Sequence, residues 1–348
     1  MSAVRTLRDG LGRATSGSAT IFALLVVVLV AITVLNPGFA EPPSLMSFLR
    51  AAAPLIVLAI GQYFVIVSGE FDLSVGALVG AQVVIAARLI DGEESRTVPV
   101  MLLMVGFGIL VGLVNGLVTT LLRVPSFITT LGMLLVLNGA VRLWTGGAPT
   151  GALSESFRQW GRGGIDMPVV RQLPWALLIA IAVGVLAVLV MRAPFGRTLV
   201  STGDNDTAAA YAGVKVWQVR TTAFVFSSLM ATLAAVLIGG FAGVTAQVGT
   251  GLEFVAITAV VLGGVVLGGG KGTVVAAIAG ALTYQAIDRL FVQLDLPSTA
   301  QPVMQGVIII AAVAYAARGA SRASSPPPPA QTEQPGQPGP DRTPVATG

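Results

Sequence analysis

The chain has 348 residues, 54% of them apolar and only 10% charged, with a mean hydropathy of +0.85. A soluble domain carries about 25% charged residues, so this is the composition of a polytopic membrane protein. The absence of cysteine and histidine excludes disulfides, thiol nucleophiles and thiolate metal sites, and removes the commonest general base.

Any enzyme here would have to work with carboxylates, lysines or hydroxyls. The composition points instead to moving a solute, with no metal and no cofactor. The net charge of +4 comes from arginines at the ends of apolar runs. That pattern signals membrane topology, not a nucleic-acid partner.

In chain order, Arg5, Arg8 and Arg13 precede the apolar run Ile21–Leu35. Gly38 and Ala40 mimic a signal-peptide cleavage site, but the run is long and further membrane segments follow, so it reads as an uncleaved first helix. A crossing needs about 20 mostly apolar residues. Runs that qualify or nearly qualify centre on 20–35, 51–68, 74–88, 98–121, 125–143, 173–191, 219–242, 253–268, 273–291 and 299–317. The expectation is an all-α bundle of about ten transmembrane helices. The short second, third, eighth and ninth runs are the places for broken or re-entrant helices.

Threading these spans from an inside N-terminus puts most basic residues, from Arg5 through Lys271 to Arg342, on the cytoplasmic side, so both termini are expected to be cytoplasmic. The chain then divides into a cytoplasmic N-terminal segment (1–19), a transmembrane domain (20–317) and a disordered Pro-rich cytoplasmic tail (318–348).

Two polar segments interrupt the spans. The outer loop 144–172, Gly-rich with Trp144 and Trp160, is large enough for a small external surface. The longest internal loop, 192–218, contains a short helix. Asp204, Asn205 or Asp206 can cap its start, Thr207–Tyr211 are mostly good helix formers, Gly213 can end it, and Lys215 suits the C-terminal dipole. A helix of one or two turns is unstable alone in water, so it needs a partner to dock against.

The stretch GEFDLSVG, residues 69–76, sets two carboxylates between apolar runs. A carboxylate costs about 2.5–3.5 kcal/mol at the centre of a membrane helix. Gly69 permits a break there, and Asp72 and Ser74 can cap the N–H groups of the next helix. GGVVLGGG, residues 263–270, occupies an equivalent place, with Gly69, Leu73 and Gly76 aligned on Gly263, Leu267 and Gly270. That fits a transporter of two related halves with broken helices beside the solute path.

GGGKGT at 268–273 is not a phosphate loop, because Val265 stands where the first glycine belongs and Gly272 where Ser or Thr would follow the lysine. It reads as a tight turn, and no nucleotide site is visible. Neutral polar groups within the spans include Tyr63, Gln247, Tyr284 and Gln285. They suit a hydroxyl-rich solute better than an ion, or serve as interhelical contacts. Gln62, Phe64, Asn115, Phe127 and Asn138 are the candidates for the solute path.

GEFDLSVGALVG resembles the signature of the ribose-type, or simple-sugar, ABC importer permeases, usually G-G-x-D-L-S-V-G-S. VPSFITTLGM (124–133) resembles their P-x-F-I-x-T-L-G-x segment. GRTLVSTGDNDTAAAYAGVKV (196–216) is similar to their G-R-x-x-x-A-x-G-x-N-x-x-A-A-x-x-S-G-I segment, and VVLGGVVLGGGKGTVVAAIAGAL is similar to their glycine-rich block. In family order these cover roughly residues 45–317. Glu70, Ala77, Thr202 and Ala212 depart from the usual residues.

The resemblance implies an inner-membrane permease subunit that is not itself the ATPase. It implies homo- or heterodimerisation, two cytoplasmic ATPase subunits, and an extracytoplasmic binding protein that delivers a monosaccharide or a similar polyol or nucleoside. Gly203, Asn205, Ala208, Ala209 and Gly213 would belong to the coupling helix that docks into the ATPase. Gly69, Asp72, Ser74 and Gly76 would form the motif beside the path. Two rivals use the same residues: a proton-coupled transporter with Glu70 or Asp72 as carrier, and an intramembrane aspartyl protease using Asp72 with Asp288.

Overall fold

The computed structural model describes residues 2–148, 150–168, 170–245, 247–297 and 299–323, with side chains described between 19 and 311. The helices are α1 (Ser2–Leu35), α2 (Pro42–Val67), α3 (Val75–Ile90), α4 (Thr97–Leu121), α5 (Ser126–Thr145), α6 (Glu155–Arg162) and α7 (Trp175–Arg192), then α8 (Pro194–Asp204), α9 (Asp206–Tyr211), α10 (Val216–Ala242), α11 (Leu252–Leu262), α12 (Val274–Gln293) and α13 (Ala300–Ala323). Between α6 and α7 a small antiparallel hairpin pairs β1 (Gly164–Met167) with β2 (Arg171–Pro174).

Among the described residues the regular structure is otherwise helical, as the hydropathy pattern demands. Among the described residues six helical segments are long and apolar enough to cross a membrane: α2, α4 with the turn before it, α5, α7, α10 and α12. Shorter apolar helices lie at Ala19–Leu35, Val75–Ile90, Leu252–Leu262 and Ala300–Ala311. α13 continues to Ala323, beyond the start expected for the tail. The rest of that tail, 324–348, lies outside the described residues.

α10 is the centre of the bundle, and glycine puts it there. Along one face of α4, Gly108, Gly112 and Gly116 recur every fourth residue. A β-carbon on Gly112 would lie 2.7 Å from the Val225 Cα, and one on Gly116 2.7 Å from the Thr221 Cα. From the other side Gly61 of α2 brings its backbone against Ser227, where a β-carbon would stand 3.1 Å from the Ser227 Cα. Small residues let membrane helices approach until backbones touch, and the dispersion gained there replaces the hydrophobic drive that lipid does not supply. α2 is buried almost without interruption from Leu55 to Val67. α5 is mostly uncovered, with only Ser126, Thr130 and Leu137 buried.

The two ends of the bundle differ. At one end α6 lies across α10. Gly161 packs so tightly there that a β-carbon would stand 2.3 Å from the Leu237 carbonyl, and Phe157 is fully buried beneath it. Ser154 caps α6 through the Phe157 N–H, and Glu94 accepts from the Glu155 and Ser156 N–H groups. The segment around α6 is therefore a folded cover on this end of the bundle. The opposite end, reached through α7, holds α8, α9 and two interruptions of the membrane helices.

α8 was not visible in the sequence, where the internal loop showed only the single short helix. Pro194 supplies its first turn, and its glycines and hydroxyls masked an 11-residue helix.

Candidate functional site

The first interruption separates α2 from α3. α2 ends in a Schellman motif, with Gly69 at φ +88°, its N–H donating to the Ile66 carbonyl and the Glu70 N–H to the Val65 carbonyl. The chain then runs without regular structure to Ser74, and in a membrane-embedded position each of its backbone groups needs a partner. α5 provides two. Ser126 and Thr130, one turn apart, accept from the Phe71 N–H at 3.1 Å and the Leu73 N–H at 3.0 Å. Gln62 of α2 donates to the Asp72 carbonyl at 2.6 Å.

Asp72 is completely buried and its carboxylate is fully engaged. One oxygen accepts from the Ser74 N–H at 2.9 Å and the Ser74 hydroxyl at 2.6 Å; the other accepts from the Ser227 hydroxyl of α10 at 2.9 Å. Asn115 of α4 donates to the Ser74 hydroxyl at 2.9 Å. Asp72 thus fixes Ser74, the residue just ahead of α3, without accepting from any N–H of the helix itself, and it ties α10 to the break directly and α4 through Ser74. Ser74 occupies the cap position, but its hydroxyl serves Asp72 and makes no cap bond. Gly76, the second residue of α3, lies where a β-carbon would collide with the Gly249 carbonyl at 2.5 Å, so the segment before α11 presses directly on α3.

The second interruption follows α11. Gly264, φ +82°, repeats the same helix ending, with N–H groups of Gly264 and Val265 donating to Val261 and Val260. Structurally Gly69 answers to Gly264, one residue out of the register that aligns it with Gly263. The second break is also longer, running to the Thr273 cap of α12, whose hydroxyl accepts from the Ala276 N–H.

Both breaks meet the segment that carries α8 and α9 at one point. A β-carbon on Gly203, in the last turn of α8, would stand 1.8 Å from the Val67 carbonyl and 2.7 Å from the Gly270 nitrogen. One on Gly269 would lie 2.9 Å from the Gly69 Cα, and one on Gly270 2.8 Å from the Asp204 Cα. The Gly270 N–H donates to the Val67 carbonyl at 2.9 Å. Three backbones cross here with no side chain between them. An aromatic ladder lies alongside, with Phe64 stacked on Phe226 at 5.1 Å and Phe226 against Phe195 of α8 at 5.8 Å.

α9 follows directly. Asn205 caps it, accepting from the Ala208 N–H at 2.9 Å, and Gly213 at φ +86° ends it in a third Schellman motif. Ala209 is buried against the protein, whereas Ala208 is exposed and Tyr211 is 90% exposed. α9 is a capped, outward-facing surface helix. Arg220, at the start of α10, reaches Glu70 at 3.1 Å and Asp206 at 3.3 Å, and donates to the Ser68 carbonyl.

The structure separates the candidates for the solute path. Gln62, Phe64 and Asn115 are buried in the packing around the first break, while Phe127 and Asn138 lie on the open face of α5. Asp72 and Asp288 share no hydrogen-bond partner, since Asp288 accepts from Gln301 of α13. Arg220, Ser227, Ser126 and Thr130 were not singled out in the sequence. For the last two, hydroxyls one turn apart on an apolar helix were the available signal. Among the described residues no cluster of carboxylates is arranged to hold a metal ion.

A broken-helix membrane bundle of this kind can be compared with known proteins. The family model described as "Branched-chain amino acid transport system / permease component" matches residues 44–313. The chain belongs to this family of importer permeases. The permease is 32% identical over 307 residues to the autoinducer 2 import system permease protein LsrC of Escherichia coli O9:H4 (strain HS), covering 86% of each chain. It is 33% identical over 301 residues to the ribose import permease protein RbsC of Bacillus subtilis (strain 168), covering 84% of this chain and 90% of that one. No solved structure matches it. Within the family the ribose-type resemblance holds, and the permease is a multi-pass inner-membrane transport subunit.

Proposed function

We propose that this permease imports a monosaccharide of the ribose, xylose or galactose type, or a similar polyol or nucleoside, by alternating access driven by separate ATPase subunits. The names of its relatives, one of them a ribose importer, support the solute class, as do neutral polar groups such as the Asn138 amide. α9 is the coupling helix. The observation that carries this reading is the triple backbone crossing at Gly203, because it connects a short exposed helix rigidly to both interrupted spans. Motion imposed on α9 from outside reaches the breaks without a compliant side chain between.

In this reading the ten apolar segments are ten crossings, both termini are cytoplasmic, and α9 faces the cytoplasm. The open face of α5, with Phe127 and Asn138, lines a path completed by a second permease copy or a related chain. The folded outer cover, which exposes Trp160, Ile165 and Met167, receives a solute-binding protein. A carrier role for the carboxylates fits poorly, because Glu70 is ion-paired and Asp72 is sealed by three hydrogen bonds.

Ala208→Arg tests the coupling surface without disturbing the buried Ala209. The variant is expected to fold normally in detergent, to lose co-purification with the ATPase subunits and to lose uptake. Normal ATPase association would show that α9 is not the docking surface.

A further inference from the structure

We infer that Arg220 is a positioning residue for transport: it clasps the coupling helix to the first break so that the stroke of α9 is delivered to the segment held by Asp72. The inference rests on the reading of α9 as the ATPase-driven helix and assigns a residue to its linkage.

The guanidinium lies where three structures converge. It contacts Glu70 inside the break at 3.1 Å, Asp206 in the first turn of α9 at 3.3 Å and the Ser68 carbonyl at the end of α2 at 3.3 Å. Arg220 and Glu70 are 19% and 13% exposed, Asp206 50%. The inner limb is therefore poorly screened, while the limb to α9 stays in reach of solvent and can break and reform. Among the described residues the other ion pairs are local, joining Glu93 to Arg96 and Glu155 to Arg162. The two made by Arg220 are the ones that join separate segments.

Placement on α10 extends the linkage. Ser227 stands two turns beyond Arg220, on the same helix face, and donates to Asp72. One face of α10 thus grips both charges of the 69–76 stretch, Glu70 through Arg220 and Asp72 through Ser227. The glycine crossing transmits compression, since backbones in contact cannot approach further. It offers little resistance to separation beyond the single Gly270 to Val67 hydrogen bond. Arg220 supplies that resistance, and a two-way stroke requires both. A guanidinium suits the task because its planar fork reaches two carboxylates and a carbonyl at once, which an ammonium does less well.

The test uses the full transporter in proteoliposomes, with ATPase subunits and binding protein, and measures solute moved per ATP hydrolysed together with ATPase co-purification. Arg220→Gln is expected to keep the ATPase subunits at wild-type stoichiometry while solute moved per ATP falls at least fivefold. Arg220→Lys keeps the charge but not the fork, so its ratio is expected to fall between those of Arg220→Gln and the wild type. Should Arg220→Gln fold poorly, Asp206→Asn breaks only the half-exposed limb and is expected to lower the ratio about twofold. A wild-type ratio in either folded variant overturns the inference, and so does loss of ATPase association in Arg220→Gln. Failure of the underlying reading is distinguishable, because it appears as undisturbed ATPase association in Ala208→Arg whatever Arg220→Gln does.

Discussion

Gly203 meets Val67 backbone to backbone, at a spacing that leaves 1.8 Å between the Val67 carbonyl oxygen and any β-carbon added to the glycine. The contact joins the last turn of α8 to the last turn of α2. It makes α8 and the first break one mechanical piece.

Gly203→Ala should therefore be among the most damaging single-methyl changes in the protein. Inserting a methylene into a packed site costs about 1–3 kcal/mol even where side chains can give, and here the obstacle is backbone. Thermal unfolding in detergent should fall by several degrees and uptake should be lost. Gly106→Ala is the control, since a β-carbon there meets nothing within 4 Å and alanine gains roughly 0.5–1 kcal/mol of helix stability.

Asp72→Ala strands three buried donors, the Ser74 N–H and the hydroxyls of Ser74 and Ser227. Each unsatisfied group costs about 1–3 kcal/mol. The variant should lose thermal stability and uptake together. Asp72→Asn retains one acceptor and should be less destabilised, as a side-by-side melting comparison would reveal.

Thr130→Val removes the acceptor for the Leu73 N–H while keeping the side-chain volume, and Ser126→Ala does the same for Phe71. Each should destabilise by about 1–3 kcal/mol, and Thr130→Ser should recover most of the loss. Because both hydroxyls serve one irregular segment, the double variant should cost less than the sum of the singles. A double-mutant melting cycle reads that coupling.

Much of this arrangement was legible in the sequence, and the reason is contrast. Two carboxylates after a glycine stand out against hydrocarbon, so the break at 69–76 could be reasoned from residue type alone, whereas the expected capping of α3 by Asp72 and Ser74 gives way to bonds that tie Asp72 to Ser74 and Ser227. Asn205 and Gly213 bracket α9 for local reasons that need no tertiary information. Arg220 was different: a cation at the start of a span reads as a topology signal, and its two carboxylate partners come from other segments. The hairpin was hidden because strands of four residues are too short for alternation to register, and α8 because its glycines contradict its helical conformation. The close approach of Gly203 to Val67 has no sequence signature, since glycine in a loop usually reports backbone freedom and here reports crowding.

The absence of cysteine makes the solute path open to direct labelling. Asn138→Cys, on the uncovered face of α5, should react with a water-soluble thiol reagent in the assembled transporter and be protected by solute. Gln62→Cys and Asn115→Cys, both buried, should stay unreactive. The reverse pattern would move the path from the α5 face to the interior of the bundle.

The division of labour between passage and motor is tested most directly by accumulation in sealed proteoliposomes. With this permease, its ATPase subunits, the binding protein and ATP, the vesicles should concentrate ribose-like solute, and the permease alone under an imposed proton gradient should not. Gradient-driven accumulation by the permease alone would contradict the account.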